Sequence, residues 1–124
     1  SNKRTIFIAT LKVEIHDLGK NIVSALLENN GFKVIDLGKD IDKEEIIKVA
    51  IDNKADMIGL CSLMTTTITQ IDEVIAELNK SEYSTKVMIG GAVVTQEYAD
   101  NVGADAYAPD GVEAVEIAKK LINK

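Results

Sequence analysis

Five short runs of β-forming, mostly aliphatic residues alternate along this chain with five segments of helical periodicity. The strand runs are Thr5 to Ala9, Phe32 to Leu37, Asp56 to Cys61, Thr85 to Ile89 and Asp105 to Ala108. The helical segments are Asp17 to Asn30, Lys43 to Asn53, Ile68 to Lys80, Thr95 to Val102 and Gly111 to Ile122. Runs such as Ile6-Phe7-Ile8-Ala9 are apolar at successive positions, so both faces of the strand are buried. Strict βα alternation of this kind predicts a parallel sheet with helices on both faces. Right-handed crossovers and the strand count favour an α/β, flavodoxin-like, doubly wound sheet of order 2-1-3-4-5. The punctuation agrees. Asn30-Gly31 stops the first helix, Asp42 with Glu45 reads as a capping box, and Thr95 reads as an N-cap.

The 124 residues suffice for one domain with a substantial core, taken as residues 3–124. A net charge of −6 with acidic and basic residues interspersed offers no basic surface for nucleic acid or an anionic membrane. The single cysteine, Cys61, excludes an internal disulfide and fits a reducing compartment. No apolar stretch is long enough for a signal or a membrane span, so the chain reads as cytoplasmic.

In a sheet of this order, ligands bind beyond the carboxyl ends of the strands, at the switch point between strands 1 and 3. The two loops there are Thr10–His16 and Cys61–Thr67. His16 is the only histidine. Glu14, two positions earlier, lies on the same side of an extended chain. An imidazole that binds a metal through one nitrogen needs an acceptor such as this carboxylate on the other. A zinc site of protein ligands alone needs three or four N or S donors, and the chain offers one His and one Cys. A cofactor that brings most of its own ligands fits better. The plainer readings are a surface histidine at a helix start, a small apolar residue ending a strand at Cys61, a helix-opening loop at Thr65 to Thr67, and a simple turn at Gly90-Gly91.

Glu14-Ile15-His16-Asp17-Leu18-Gly19 resembles the Asp-x-His-x-x-Gly signature of cobalamin-binding domains, with Glu in place of Asp. The following Lys20-Asn21-Ile22-Val23 is similar to the corresponding run in methyl-transferring corrinoid proteins and methionine synthases. Gly59-Leu60-Cys61-Ser62-Leu63-Met64-Thr65-Thr66-Thr67 resembles their Gly-Leu-Ser-x-Leu-x-Thr-Thr-Thr segment. Ile89-Gly90-Gly91-Ala92 and Gly103 to Asp110 resemble their later landmarks, in the same order.

The resemblance implies that His16 ligates cobalt and displaces the lower base of the cofactor. Glu14 then holds the other imidazole nitrogen, and Thr67 links onward to that carboxylate. Asp17, Gly19 and Thr65 complete the matching motifs, and the displaced nucleotide tail runs past Cys61, Leu63 and Gly90-Gly91. Two departures stand out. Glu14 is one methylene longer than aspartate, and the Cys61 thiol is a weaker donor than the serine hydroxyl of the family. The implied function is that of a corrinoid methyl carrier, moving a methyl group on cobalt between a donor and an acceptor methyltransferase. A corrinoid-reactivating protein is a further implied partner. The helical domain that covers the upper cofactor face in the family is not in this sequence, so the chain reads as a fragment of a longer protein. The alternatives are the small subunit of a B12-dependent mutase, a cobalamin-sensing module, and a degenerate domain without cofactor. Rivals of the same topology lack their marks: no phosphate-accepting aspartate ends strand 3, and no glycine-rich phosphate loop follows strand 1.

Overall fold

The computed structural model describes residues 4–10, 18–37, 41–61, 68–81, 85–91 and 94–122. Within them the chain runs β1 (Thr5–Thr10), α1 (Leu18–Asn29), β2 (Lys33–Asp36), α2 (Lys43–Asp52), β3 (Met57–Cys61), α3 (Ile68–Ser81), β4 (Lys86–Gly90), α4 (Gln96–Val102), β5 (Ala106–Tyr107) and α5 (Gly111–Leu121). The strands form one parallel sheet in the order β2-β1-β3-β4-β5. This is the flavodoxin-like arrangement expected from the alternation.

Strand periodicity divides the core into two layers. Phe7, Ala9, Ile58, Leu60, Val87 and Ile89 point to the side covered by α2, α3 and α4, where they meet Ile46, Ala50, Ile71, Val74, Ile75, Leu78 and Ala99. Ile6, Ile8, Met57 and Met88 point to the other side, covered by α1 and α5 through Leu27, Ala114, Val115 and Ala118. Because successive residues of one strand feed both layers, the apolar runs are continuous rather than alternating.

The element ends are fixed by local chemistry. Gly31, at φ 94°, takes the left-handed turn after α1, and Phe32 N–H reaches back to the Leu27 carbonyl at 3.2 Å. The expected capping box at Asp42 is not formed. Asp42 has an extended N-cap backbone and accepts Ile46 N–H through its carbonyl, but its side chain makes no cap hydrogen bond. Glu44 and Glu45 instead place negative charge at the positive end of α2. Thr95 does cap α4, accepting Tyr98 N–H at 3.1 Å, and Asp110 caps α5, accepting Glu113 N–H at 2.9 Å. The last strand is shorter than expected. Asp105, just before it, is tied to β4 twice: its N–H donates to the Val87 carbonyl at 2.9 Å and its carboxylate accepts Val87 N–H at 2.8 Å.

Candidate cofactor-binding site

The switch point is where the sequence places it. β1 lies between β2 and β3, so the chain leaves β1 toward one face through α1 and reaches β3 from the other through α2. Thr10, Cys61 and Gly90 end β1, β3 and β4 and stand side by side in one row of the sheet. α1 opens at Leu18 and α3 at Ile68, the points where the two candidate loops rejoin regular structure.

Of the expected site residues, the structure places Gly19 in the first turn of α1, half-buried Cys61 at the end of β3, and Gly90 and Gly91 at the end of β4. Glu14, His16, Asp17, Leu63, Thr65 and Thr67 lie outside the described residues. Cys61 and Gly90 are direct neighbours across the β3–β4 ladder.

The side chains on the α1/α5 face of the sheet become smaller toward this end. Below, the face carries Ile6, Ile8, Met57 and Met88. Gly59 stands level with Ile8 and Met88 and above Met57, and beyond it comes Cys61 beside Gly90, by the alternation of β3 and β4. Gly59 opens the Gly59–Thr67 segment that resembles the family but is not among the expected site residues; a glycine inside an otherwise aliphatic strand is the signal that marks close approach of a ligand or backbone. A Cβ built on Gly59 would lie 3.5 Å from Ile8 Cγ1 and 4.0 Å from Met88 Cε, so the backbone there has ordinary room above it. Gly90 is different. A Cβ there would stand 2.8 Å from the Ala108 carbonyl oxygen, whose residue also donates its N–H to the Ile89 carbonyl at 2.9 Å. The glycine is thus already required by the fold. Gly91, at φ 121°, makes the turn that only glycine adopts without strain.

Two large aliphatic side chains lie exposed near this edge, Ile22 early in α1 and Val112 at the start of α5. α2, α4 and α5 carry acidic residues in their first turns, whereas α1 and α3, which open at the switch point, carry none. Their positive ends are therefore not offset from within the helix. Among the described residues no three His, Cys, Asp or Glu side chains converge as a metal site.

The profile of one family, described as the B12 binding domain, matches residues 4–119. The chain belongs to the B12-binding domain family. Dimethylamine corrinoid protein 1 of Methanosarcina acetivorans is 45% identical over 98% of this chain and 59% of its own length. The crystal structure of a cobalamin-binding protein from Desulfitobacterium hafniense superposes with a TM-score of 0.93 at 29% identity, over 97% of this chain and 60% of that one. A chain of the methanol:cobalamin methyltransferase complex of Methanosarcina barkeri gives 0.91 at 33% identity, over 96% of this chain and 46% of that one. This B12-binding domain therefore spans little more than half the length of such relatives.

Proposed function

We propose that this domain carries a corrinoid, and on it a methyl group, between a donor and an acceptor methyltransferase. The observation that carries the reading is the α1/α5 face at the switch point, where Gly59, Cys61 and Gly90 stand in place of the large methionine side chains found lower in the same strands. Small residues there let a ligand such as the slender nucleotide tail of a corrinoid approach the backbone closely. The residues present fit that group: small at the slot, glycine at Gly59 where a Cβ would only touch, and exposed apolar surface at Ile22 and Val112 beside it. Kinship with corrinoid proteins of methyl-transfer systems supports the same conclusion.

In this reading residues 3–124 act as one cobalamin-binding domain. His16 would hold the cobalt. Glu14 accepts the proton of the other imidazole nitrogen, which fixes the ring orientation and raises its basicity. Thr67 donates to that carboxylate, so a proton can be held at or moved from the histidine as its ligation changes. Asp17, Gly19 and Thr65 shape the two loops around this pair. Leu63, Cys61 and Gly90-Gly91 line the path of the tail, with the Cys61 thiol in place of a hydroxyl as a weaker donor. When bound, the corrinoid supplies the cobalt centre that accepts a methyl group from one protein and yields it to another; the domain positions and tunes it. Partners are the two methyltransferases and a corrinoid-reactivating protein, in the cytoplasm. No described helix is long and apolar enough to cross a membrane.

A carrier must keep its methyl group until the right acceptor arrives. The cobalamin-loaded, reduced domain should take up an isotope-labelled methyl group from methyl iodide and hold it through gel filtration. The label should leave only on addition of an acceptor methyltransferase with its substrate. A domain that takes up no label, or that loses it equally fast without the second protein, is not a carrier.

A further inference from the structure

Gly59 lies in the middle strand of the sheet, level with Ile8 of β1 on one side and Met88 of β4 on the other. Ile8 and Met88 face α1 and α5, as does Gly59 by the alternation of β3, and all three are buried. The point where a Cβ of Gly59 would stand is 3.5 Å from Ile8 Cγ1 and 4.0 Å from Met88 Cε. Those are contact distances, so one further heavy atom fits between the two side chains without displacing either. The glycine thus leaves a notch with an apolar wall on each side. Ile8 offers it carbon alone. Met88 offers a methyl group and a thioether sulfur, which is a weak acceptor and no donor. β3 is paired on both sides, so the peptide groups of Gly59 are engaged in the ladder. A polar ligand atom placed in the notch would lose its water and gain no partner from these three residues. A flat hydrocarbon edge would keep its contacts, and the polarizable thioether packs favourably against an aromatic ring.

We propose that Ile8, Gly59 and Met88 select the lower base of the corrinoid: the notch takes the hydrocarbon edge of a benzimidazole and disfavours adenine, whose six-membered ring carries nitrogens and an amine. This rests on the corrinoid reading given above and adds to it which tail the domain accepts. Gly59 admits the edge of the ring, and the side chains of Ile8 and Met88 set the chemistry that the edge meets.

The test is a set of equilibrium titrations with three corrinoids that share one ring: tailless cobinamide, cobalamin with its dimethylbenzimidazole, and the analogue with adenine as lower base. Wild type should bind cobalamin roughly ten- to a hundredfold more tightly than the adenine analogue, the scale of one buried polar group left without a partner. Met88→Gln puts an amide into the notch on a side chain of similar length, and should cut that preference by about tenfold. Met88→Leu is apolar and close in volume, and should keep it. Urea unfolding of each variant reports folding separately, and the wild-type ratio needs no variant at all. Equal affinity of wild type for the two tailed corrinoids would overturn the proposal while the corrinoid reading stands, as would a preference untouched in a folded Met88→Gln protein. Cobinamide bound as tightly as both tailed forms would place the tail elsewhere and overturn it too. Failure to bind any of the three would remove the corrinoid reading and this inference with it.

Discussion

Gly59 and Gly90 both lack a side chain near the end of a buried strand, yet they answer different needs. At Gly90 the Ala108 carbonyl already fills the space a Cβ would take, and that contact is backbone, which cannot swing aside. At Gly59 the nearest atoms are the ends of the Ile8 and Met88 side chains at van der Waals range. Gly90→Ala should therefore cost about 1–3 kcal/mol of stability as an overpacked site. Gly59→Ala should leave stability within about 1 kcal/mol of wild type. In contrast it should weaken cobalamin by about tenfold while sparing cobinamide, which lacks the nucleotide tail. Urea unfolding and a pair of binding titrations would check both; equal loss of the two corrinoids would place the tail elsewhere. Tyr98 gives a pH-dependent signature. Its pKa is raised above the ordinary 10.0, first by burial and then by Asp72, so the folded state holds this proton more tightly than the unfolded chain. Its contribution is complete below pH 10.0 and is lost as pH climbs through the raised value. Melts across that range should show a steeper alkaline decline for wild type than for Tyr98→Phe. Parallel curves would contradict the assignment. Neither residue was legible as such in the sequence: Gly59 sits within an aliphatic run, and the bond from Tyr98 to Ile68 joins positions 30 apart.

Among the elements, the helices and strands followed from periodicity because the central strands are buried on both faces and the helices on one. Their ends followed less well, since these depend on which polar atom finds which backbone group. Thr95 was legible as a cap because a hydroxyl directly precedes the periodic segment. Asp42 met the same rule and does not cap with its side chain. Asp56 and Asp105 read as the first residues of strands; both stand just before them, and beside their backbone bonds their carboxylates accept an N–H of the neighbouring strand, from Thr5 and from Val87, each at 2.8 Å. These bonds lock the starts of β1 and β4, at the edge opposite the site, so that the row of Thr10, Cys61 and Gly90 is registered from below. The ion pair of Arg4 with Asp56, at 3.8 Å and largely solvent-exposed, adds little beside the backbone bond.

For the whole molecule, the order of the strands decides where chemistry can occur, and that order was readable because parallel strands allow few right-handed connections. The switch point between β1 and β3 then selects two loops out of the chain, and these are the ones that carry the lone histidine and the run of threonines. What topology alone could not give was the placing of Gly59 between Ile8 and Met88 on one sheet face, which requires the register of three strands at once. The family match and the lone histidine of the sequence support the proposal that this domain binds cobalamin through His16. A hydroxocobalamin titration followed by visible absorbance, with His16→Ala alongside, tests it most directly. The account predicts a bound, base-off spectrum with histidine as the lower ligand for wild type, and loss of that signature in the variant. An identical spectrum and affinity for the two proteins would contradict it.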